Sequence, residues 1–426
     1  MERKPVIRIM PPSDPVKERI TLPASKSISN RLLVIKALSA DELRISNLSE
    51  SRDTLILEQA LQLISGNRDQ DLAVTIDVGD AGTPMRFLAA LISNTPGKWV
   101  LTGSPRMLER PIGPLVDALR MLGARITYVA REGFPPLSIT GRLLDGETVS
   151  IKADISSQFI SALMLIAPLL PQGLTIHKLG NASSAPYIGM TARLMQQAGV
   201  SVEMDNGNIR ISPQPYRPMP VKVDADWSAA AFWYEIAAFG SDPGISLTGL
   251  HASGIQGDEQ VAAIFTRLGV KTEYSGQGTL LRKSGIPFVS PFSYDFTSCP
   301  DLLIPVAVTC AGLQIEANLF GLKALRIKES DRLHAVATEL GALGYHINIL
   351  SNNALQLLPS PHALKGSAHT IATYGDHRMA MAFAPLSLLR PGICISNPDV
   401  VGKSYPRYWN DLKKAGFEII AVEPEI

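Results

Sequence analysis

The sequence predicts an α/β protein assembled from six related units, and three observations carry that reading. First, an amphipathic helical segment, a glycine and a short β-type run recur along the chain. They appear as LEQALQLISGN at Gly66, LVDALRMLGARI at Gly123 and RLMQQAGVSV at Gly199. They return as IFTRLGVKTEY at Gly269, LHAVATELGALGYHINI at Gly341 or Gly344, and DLKKAGFEII at Gly416. Taking Gly344, successive spacings are 57, 76, 70, 75 and 72 residues, a near-regular period that marks a repeat architecture. Second, a glycine just past a helix can take the left-handed conformation that ends it, which explains its place in every unit. Third, 426 residues that are 46% hydrophobic and 19% charged can bury the cores of two or three domains, at roughly 150 residues each.

Six units divide into two halves of three. The Pro-rich stretch ISPQPYRPMPVKVDAD (211–226) follows the third unit and is the candidate connection. The chain before residue 20 is β-type and punctuated by proline, and on residues alone it fits either half.

Lys plus Arg total 40 against 39 Asp plus Glu, a net charge of +1. That balance argues against a dedicated binder of nucleic acid or of anionic membranes. Cys299, Cys310 and Cys394 form neither a disulfide framework nor a paired zinc spacing, so free thiols in a reducing cytoplasm are expected. The opening MERKPVIRIM has no apolar signal core, and the most apolar stretch, Phe159 to Leu170, is shorter than the about 20 residues that span a bilayer. A soluble, cytoplasmic protein with no transit peptide is the expectation.

The cations gather where turns open helices, the places where unpaired N–H groups and positive partial charge favour anions. LPASKSISNRLLVIKAL (22–38) starts a helix with Lys26 and Ser27, and Arg31 lies one turn on, although such a Lys-Ser pair taken alone is more often a solvated cap than a site. In DAGTPMRFLAALI (80–92), Thr83 reads as the N-cap and Pro84 as the first helical residue. Gly82 there allows close backbone approach, and Arg86 in the first turn needs something negative beside it. SPRMLERPIGPLVDAL (104–119) puts Arg106 and Arg110 in a loop ahead of a helix.

DISSQFISALMLIAPLL (154–170) opens with Asp154, Ser156, Ser157 and Gln158, more hydroxyl and amide groups than one cap requires. SSAPYIGMTARLM (183–195) repeats the device with Ser184 and Tyr187. In the second half, PDLLIPVAVTCAG (300–312) opens with Asp301. LRIKESDRLHAVATEL (325–340) is the densest polar run, with Arg326, Lys328, Glu329, Asp331 and Arg332. Ser330 and Asp331 suit a cap, whereas Lys328-Glu329 precede the helix where an acid/base group can face a cleft. YGDHRMAMAFAPLSLL (374–389) has Asp376 as cap, then His377 and Arg378 before a helix with no polar face, which should therefore be buried. VVGKSYPRYW (400–409) carries Lys403.

Gly402-Lys403-Ser404 looks like the end of a nucleotide-binding P-loop, but Asn397 stands where its first glycine belongs. No HExxH, GxSxG or Cys/His metal spacing occurs, so neither a metal nor a cofactor is expected. The residues describe helix starts in both halves offering Lys, Arg, Ser and Thr with a few carboxylates. That suits a pair of small, multiply anionic substrates bound between two halves, and acid/base chemistry on carbon–oxygen bonds.

Taken together, LPASKSISNR, DAGTPMR, LERPIGPLVDAL, DISSQF, SAPYI, RIKESDRL, GDHRMAM and the late Lys403 closely resemble the 5-enolpyruvylshikimate-3-phosphate synthase family of enolpyruvyl transferases. The matches run in order from residue 22 to 403. The resemblance implies two domains of three βαβαββ units each, with the first inserted into the second: 21–225, and 1–20 plus 226–426. It implies transfer of the enolpyruvyl group of phosphoenolpyruvate to the 5-hydroxyl of shikimate 3-phosphate, with release of phosphate through a tetrahedral intermediate. That is a step of aromatic amino acid biosynthesis and the target of glyphosate, catalysed by a protein expected to be a monomer. By resemblance Ser27, Arg31, Ser156, Ser157, Ser184, Asp301 and Lys328 hold shikimate 3-phosphate. Lys26, Gly82, Arg110, Gln158, Arg332, Arg378 and Lys403 hold phosphoenolpyruvate. Asp301, Glu329 and Lys26 are the implied acid/base groups.

Some positions depart from the family pattern. Ala24 stands for a usual glycine, Ala324 for a frequent Asn, and Pro84 and Phe87 for the Ala and Pro of GTAMRPL. The last two change the first turn beside Gly82 and imply an altered response to glyphosate. The related transferase acting on UDP-N-acetylglucosamine carries a cysteine in its first half, and this chain has none before Cys299. RNA 3′-phosphate cyclases share related repeats, but no nucleotide motif is present. A non-catalytic anion binder of the same fold would have no need for both Asp301 and Glu329.

Overall fold

The computed structural model describes residues 4–422 apart from 41, 68–71, 153–155, 181–184, 206, 218, 361–362 and 364–368. The chain forms two compact units: Ala24–Val223, and Met1–Pro23 with Asp224–Ile426.

In the unit Ala24–Val223, strand Val74–Asp77 lies parallel to Gly97–Thr102, which pairs antiparallel with Leu137–Gly141, itself antiparallel to Arg125–Tyr128. Helices Gly82–Ser93 and Gly113–Met121 fill the connections. Parallel neighbours need a crossover long enough for a helix, while the last two strands turn back directly, and this makes each unit read βαβαββ. The pattern recurs with strands Thr148–Lys152, Leu174–Leu179, Asn208–Ile211 and Val202–Met204 around helices Ser157–Ile166 and Ala185–Gln197. The third repeat differs from the regular expectation. Its helices Lys26–Leu38 and Arg52–Gly66 are present, but among the described residues its sheet has only two strands, Ile45–Ser46 and Val221–Lys222. The second of these falls in the Pro-rich stretch that the sequence marks as a connection.

Among the described residues the other unit holds three four-stranded sheets of the same order. Strand Arg19–Thr21 begins one with Ile245–Thr248, Gly278–Lys283 and Val270–Ser275. Phe292–Asp295, Ala317–Phe320, Ala354–Leu358 and His346–Ser351 form the next. In the last, Thr370–Ile371 and Ile393–Ser396 are completed by the N-terminal strand Val6–Met10, which also pairs with Glu418–Val422. The early strand thus takes the place that a hairpin strand fills elsewhere.

Helices with no polar face are sunk in the cores, as their composition dictates. Every residue of His377–Phe383 is buried, as are eleven of the thirteen in Trp227–Phe239. Gly123, Gly199, Gly269, Gly344 and Gly416 have φ between 81° and 94° and end their helices as expected. Gly66 does not, because helix Arg52–Gly66 runs through it and is capped at Asn67.

Candidate active site

In the unit Ala24–Val223, four helix starts present the residues singled out by sequence. Lys26 is the first residue of helix Lys26–Leu38, and its Nζ lies 3.2 Å from Oδ2 of the buried Asp53, in the first turn of helix Arg52–Gly66. The pairing fixes an otherwise flexible ammonium. Arg31 is 2% exposed, and its guanidinium is committed on several sides. Nε donates to Thr191 Oγ1 at 2.7 Å, Nη1 to the Ser27 carbonyl at 3.0 Å, and Nη2 to Ser161 Oγ at 3.1 Å and the Tyr187 carbonyl at 3.2 Å. The rings of Phe87 and Tyr187 flank it at 5.4 and 6.0 Å. Burial brings its pKa down to about 10, which still leaves it charged at neutral pH.

The helix containing Pro84 begins earlier than the sequence suggests. Ala81 is the N-cap and Gly82 the first helical residue, so Pro84 is third. Its missing N–H costs nothing there, because the first four amides of a helix have no internal partner. Thr83 does not cap: its Oγ1 accepts a 3.0 Å hydrogen bond from Gln158 Nε2 and ties two helix starts together. Gly82 is needed for space. A Cβ there would stand 2.7 Å from Arg110 Nη1 and 2.9 Å from Nη2. Arg110 is buried, and its Nε has no hydrogen-bond partner among the described residues. A buried guanidinium group left short of acceptors invites an anion. Arg86 instead braces the loop, donating to the carbonyls of Gly82 at 3.1 Å and Pro111 at 3.2 Å.

Ser156 caps helix Ser157–Ile166 by accepting from the Gln158 amide at 3.3 Å, and Ser157 is buried in its first turn. Asp154 and Ser184 lie outside the described residues.

In the second unit the candidates converge on Arg332, which is 2% exposed. Its Nη1 reaches Asp301 Oδ1 at 2.7 Å, its Nη2 reaches Glu329 Oε2 at 2.9 Å, and its Nε reaches Asp376 Oδ2 at 2.7 Å. Asp376 also caps helix His377–Phe383 through the Arg378 amide at 3.0 Å and accepts from Ser330 Oγ at 3.2 Å. Arg378 then doubles back on Asp301, with Nη2 3.1 Å from Oδ2 and Nη1 3.3 Å from the carbonyl. Lys328 Nζ stands 3.9 Å from Asp301, and Lys403 Nζ 4.0 Å from Glu329. Asp331 caps helix Arg332–Ala342, leaving Lys328 and Glu329 ahead of it as the sequence implies.

Burial alone would raise the Asp301 pKa, but Arg378, Lys328 and Arg332 outweigh it and hold the carboxyl well below the usual carboxylate range. Arg332 is likewise desolvated, yet Asp376, Glu329 and Asp301 fix its proton firmly. The outcome is an ionised Asp301 and a Glu329 carboxylate set about a common cation, with two further lysines within 4.0 Å of them. Such a cluster can accept a proton from a hydroxyl and neutralise incoming negative charge.

The sequence missed several contributors. Asp53, Ser161 and Thr191 meet Lys26 or Arg31 across 27 to 160 residues of sequence, so no local pattern reveals these contacts. Asp258 adjoins Asp301 and Arg378 electrostatically and was likewise invisible. Among the described residues no group of three or more His, Cys, Asp or Glu is placed to hold a metal ion, and no helix is long and apolar enough to cross a membrane.

Comparison with known proteins supplies the family. The model for EPSP synthase (3-phosphoshikimate 1-carboxyvinyltransferase) matches residues 10–412. A 3-phosphoshikimate 1-carboxyvinyltransferase of Bacteroides fragilis (strain YCH46) is 47% identical over 405 residues, covering 95% of this chain and 96% of that protein. One from Shewanella denitrificans is 36% identical over 416 residues, covering 93% and 95%. Among solved structures, an EPSP synthase from Acinetobacter baumannii superposes with a TM-score of 0.76 at 22% identity, covering 98% of this chain and all of that one. The enolpyruvyl transferase NikO from Streptomyces tendae does so with a TM-score of 0.72 at 16% identity, covering 99% of each chain. The two structures speak for the fold, and the sequence relatives and family match speak for more: this chain belongs to the EPSP synthase family.

Proposed function

We propose that the two sets of residues serve one reaction, the transfer of an enolpyruvyl group from phosphoenolpyruvate to shikimate 3-phosphate. The observation that carries the residue-level reading is the Arg332 cluster, in which Asp301 and Glu329 sit at 2.7 and 2.9 Å from one buried guanidinium. In the addition step the 5-hydroxyl oxygen of shikimate 3-phosphate bonds to C2 of phosphoenolpyruvate while Asp301 takes up its proton. Glu329, which takes up a proton from solvent before the addition, delivers it to the methylene carbon, which becomes a methyl group. Elimination returns that proton to Glu329 and breaks the C2–O bond to phosphate, with Lys26 protonating the departing bridge oxygen. General acid–base help of this kind is worth about 10²- to 10⁴-fold.

Ser27, Arg31, Ser156, Ser157, Ser184, Asp301 and Lys328 bind shikimate 3-phosphate in this reading. Lys26, Gly82, Arg110, Gln158, Arg332, Arg378 and Lys403 bind phosphoenolpyruvate. Support comes from the acceptor-poor guanidinium of Arg110 over Gly82, which matches a forked carboxylate or phosphate partner. The internal bonding of Arg31 narrows its contribution: with four hydrogen bonds spent on protein, it shapes the floor beneath Ser27 as much as it offers charge. The protein works as a cytoplasmic monomer in this reading, with its three buried thiols suited to a reducing compartment.

The test is phosphate release by the purified protein. It is expected only when shikimate 3-phosphate and phosphoenolpyruvate are both present. No release with both, or equal release with phosphoenolpyruvate alone, would overturn the assignment.

A further inference from the structure

The loop that leads into Asp376 is gripped by a buried carboxylate that the reaction scheme leaves unused. Glu339 lies on helix Arg332–Ala342, about two turns beyond Arg332, and is 2% exposed. Segment 369–374 supplies its partners. Its Oε1 accepts from the Tyr374 hydroxyl at 2.7 Å, and its Oε2 accepts from the Ala372 amide at 3.1 Å. His369 Nε2 stands 2.8 Å from the same Oε2. A buried carboxylate so placed fixes the segment that carries its donors, because charge-assisted hydrogen bonds are short and strong.

That segment ends in a turn the backbone would not choose by itself. The Asp376 amide donates to the Thr373 carbonyl at 2.8 Å, and the two residues between them, Tyr374 and Gly375, have φ of 54° and 70°. Glycine takes this conformation freely, but a tyrosine side chain crowds its own backbone there. The Tyr374 hydroxyl therefore anchors the unfavourable residue of the turn. Ahead of the turn, strand Thr370–Ile371 pairs with Ile393–Ser396, and Ser396 Oγ donates to the Ile371 carbonyl at 3.1 Å. Behind it stands Asp376, which caps helix His377–Phe383 and meets Arg332 Nε at 2.7 Å. Helix Arg332–Ala342 thus holds the turn from two points, through Glu339 and through Arg332.

Two guanidinium groups depend on where the turn ends. Asp376 Oδ1 accepts the Arg378 amide at 3.0 Å while Oδ2 holds Arg332, and Arg378 Nη2 reaches Asp301 Oδ2 at 3.1 Å. A slackened turn draws Asp376 away from Arg332 and shifts Arg378 with its helix start. We propose that Glu339 and Tyr374 are positioning residues for phosphoenolpyruvate binding: the hydrogen bond between them fixes the turn that sets Asp376, and Asp376 in turn aims Arg332 and Arg378. The proposal rests on the reading of Arg332 and Arg378 as phosphoenolpyruvate ligands. Glu339 and Tyr374 act through these two arginines and not by touching substrate.

The experiment is steady-state kinetics and thermal unfolding of the intact enzyme beside Tyr374→Phe, which removes the hydroxyl and keeps the ring. The KM for phosphoenolpyruvate is expected to rise roughly 3- to 30-fold, a share of what one charge-assisted hydrogen bond can supply, with a smaller change in the KM for shikimate 3-phosphate. Glu339→Met, which removes both acceptors at similar volume, should raise the same constant at least as far, and Tyr374→Phe added to it should raise it no further. If Glu339→Met does not fold, Tyr374→Phe alone decides. A lowered melting temperature with an unchanged phosphoenolpyruvate KM, equal rises in both KM values, or effects that multiply in the double variant would each overturn the proposal. Failure of the underlying reading shows separately in Arg378→Lys. An unchanged phosphoenolpyruvate KM there overturns that reading and the proposal with it, whereas a raised one beside an unchanged Tyr374→Phe overturns the proposal alone.

Discussion

Arg332 Nε and Asp376 Oδ2 meet 2.7 Å apart with their side chains 2% and 0% exposed, and this pair organises the charged cluster of its unit. Asp376 caps the helix that carries Arg378, and Arg332 holds Asp301 and Glu329, so one contact sets the positions of four charged side chains. Asp376→Asn leaves a buried guanidinium without one of its two nearest counter-charges. Breaking a buried pair from one side costs about 3–5 kcal/mol. Urea unfolding should show a loss of that order, and an unchanged midpoint would refute it.

Glu329→Gln keeps the shape and one acceptor for Arg332 but cannot carry the proton to the methylene carbon. The expected outcome is a fall in kcat of about 10²- to 10⁴-fold with a native thermal transition. Near-normal turnover would remove Glu329 from the acid/base role.

Gly82→Ala drives a methyl group to within 2.7 Å of Arg110 Nη1. Arg110 is the movable partner, and its displacement should cost a charge-assisted hydrogen bond to phosphoenolpyruvate of about 1.5–3 kcal/mol. Steady-state kinetics should then show the phosphoenolpyruvate KM raised roughly 10- to 100-fold, with a smaller change in the KM for shikimate 3-phosphate. Equal effects on both would speak against the placement of Arg110.

The Phe87 ring lies 5.4 Å from the Arg31 guanidinium. Phe87→Leu keeps the apolar volume and removes the ring face, worth about 0.5–2 kcal/mol. A KM for shikimate 3-phosphate raised by about two- to thirtyfold, restored by Phe87→Tyr, is the expected result.

Glu235, in helix Trp227–Phe239, is fully buried with neither carboxylate oxygen hydrogen-bonded among the described residues. Burial raises its pKa well above the ordinary value of 4.5. The folded protein therefore holds a proton that the unfolded chain has released, so stability falls as pH rises above the unfolded pKa, by up to about 1.4 kcal/mol per unit until the folded group ionises. Glu235→Leu should unfold later than the natural chain at pH 8, with the advantage shrinking towards pH 4.5. A gap that does not depend on pH would contradict the protonated state.

How much of this was legible from residues alone follows from how far each interaction reaches. Helix starts are local, so Lys26, Ser156, Asp331 and Asp376 could be placed at theirs from sequence. The repeat period gave the α/β order, because each unit must bury the same helix faces. What escaped was set by distant partners. Thr83 fits a cap locally, but Gln158, 75 residues on, claims its hydroxyl. Asp53 and Asp258 carry no signature because an acid near a helix start is commonplace until the cation it faces is known. Gly66 fits the left-handed stop, yet its helix continues to Asn67.

The strand Val6–Met10 pairs with Ile393–Ser396 and Glu418–Val422, almost the whole length of the chain away. During synthesis, its edges must wait for residues 393–422, whereas the described strands of the unit Ala24–Val223 have by then been made. Long-range pairing of this kind is slow because the loop must close before the contact forms. The unit Ala24–Val223 is thus free to mature first, and the unit that carries Asp301, Glu329 and Arg332 gains its final sheet only when Val6–Met10 meets Ile393–Ser396 and Glu418–Val422.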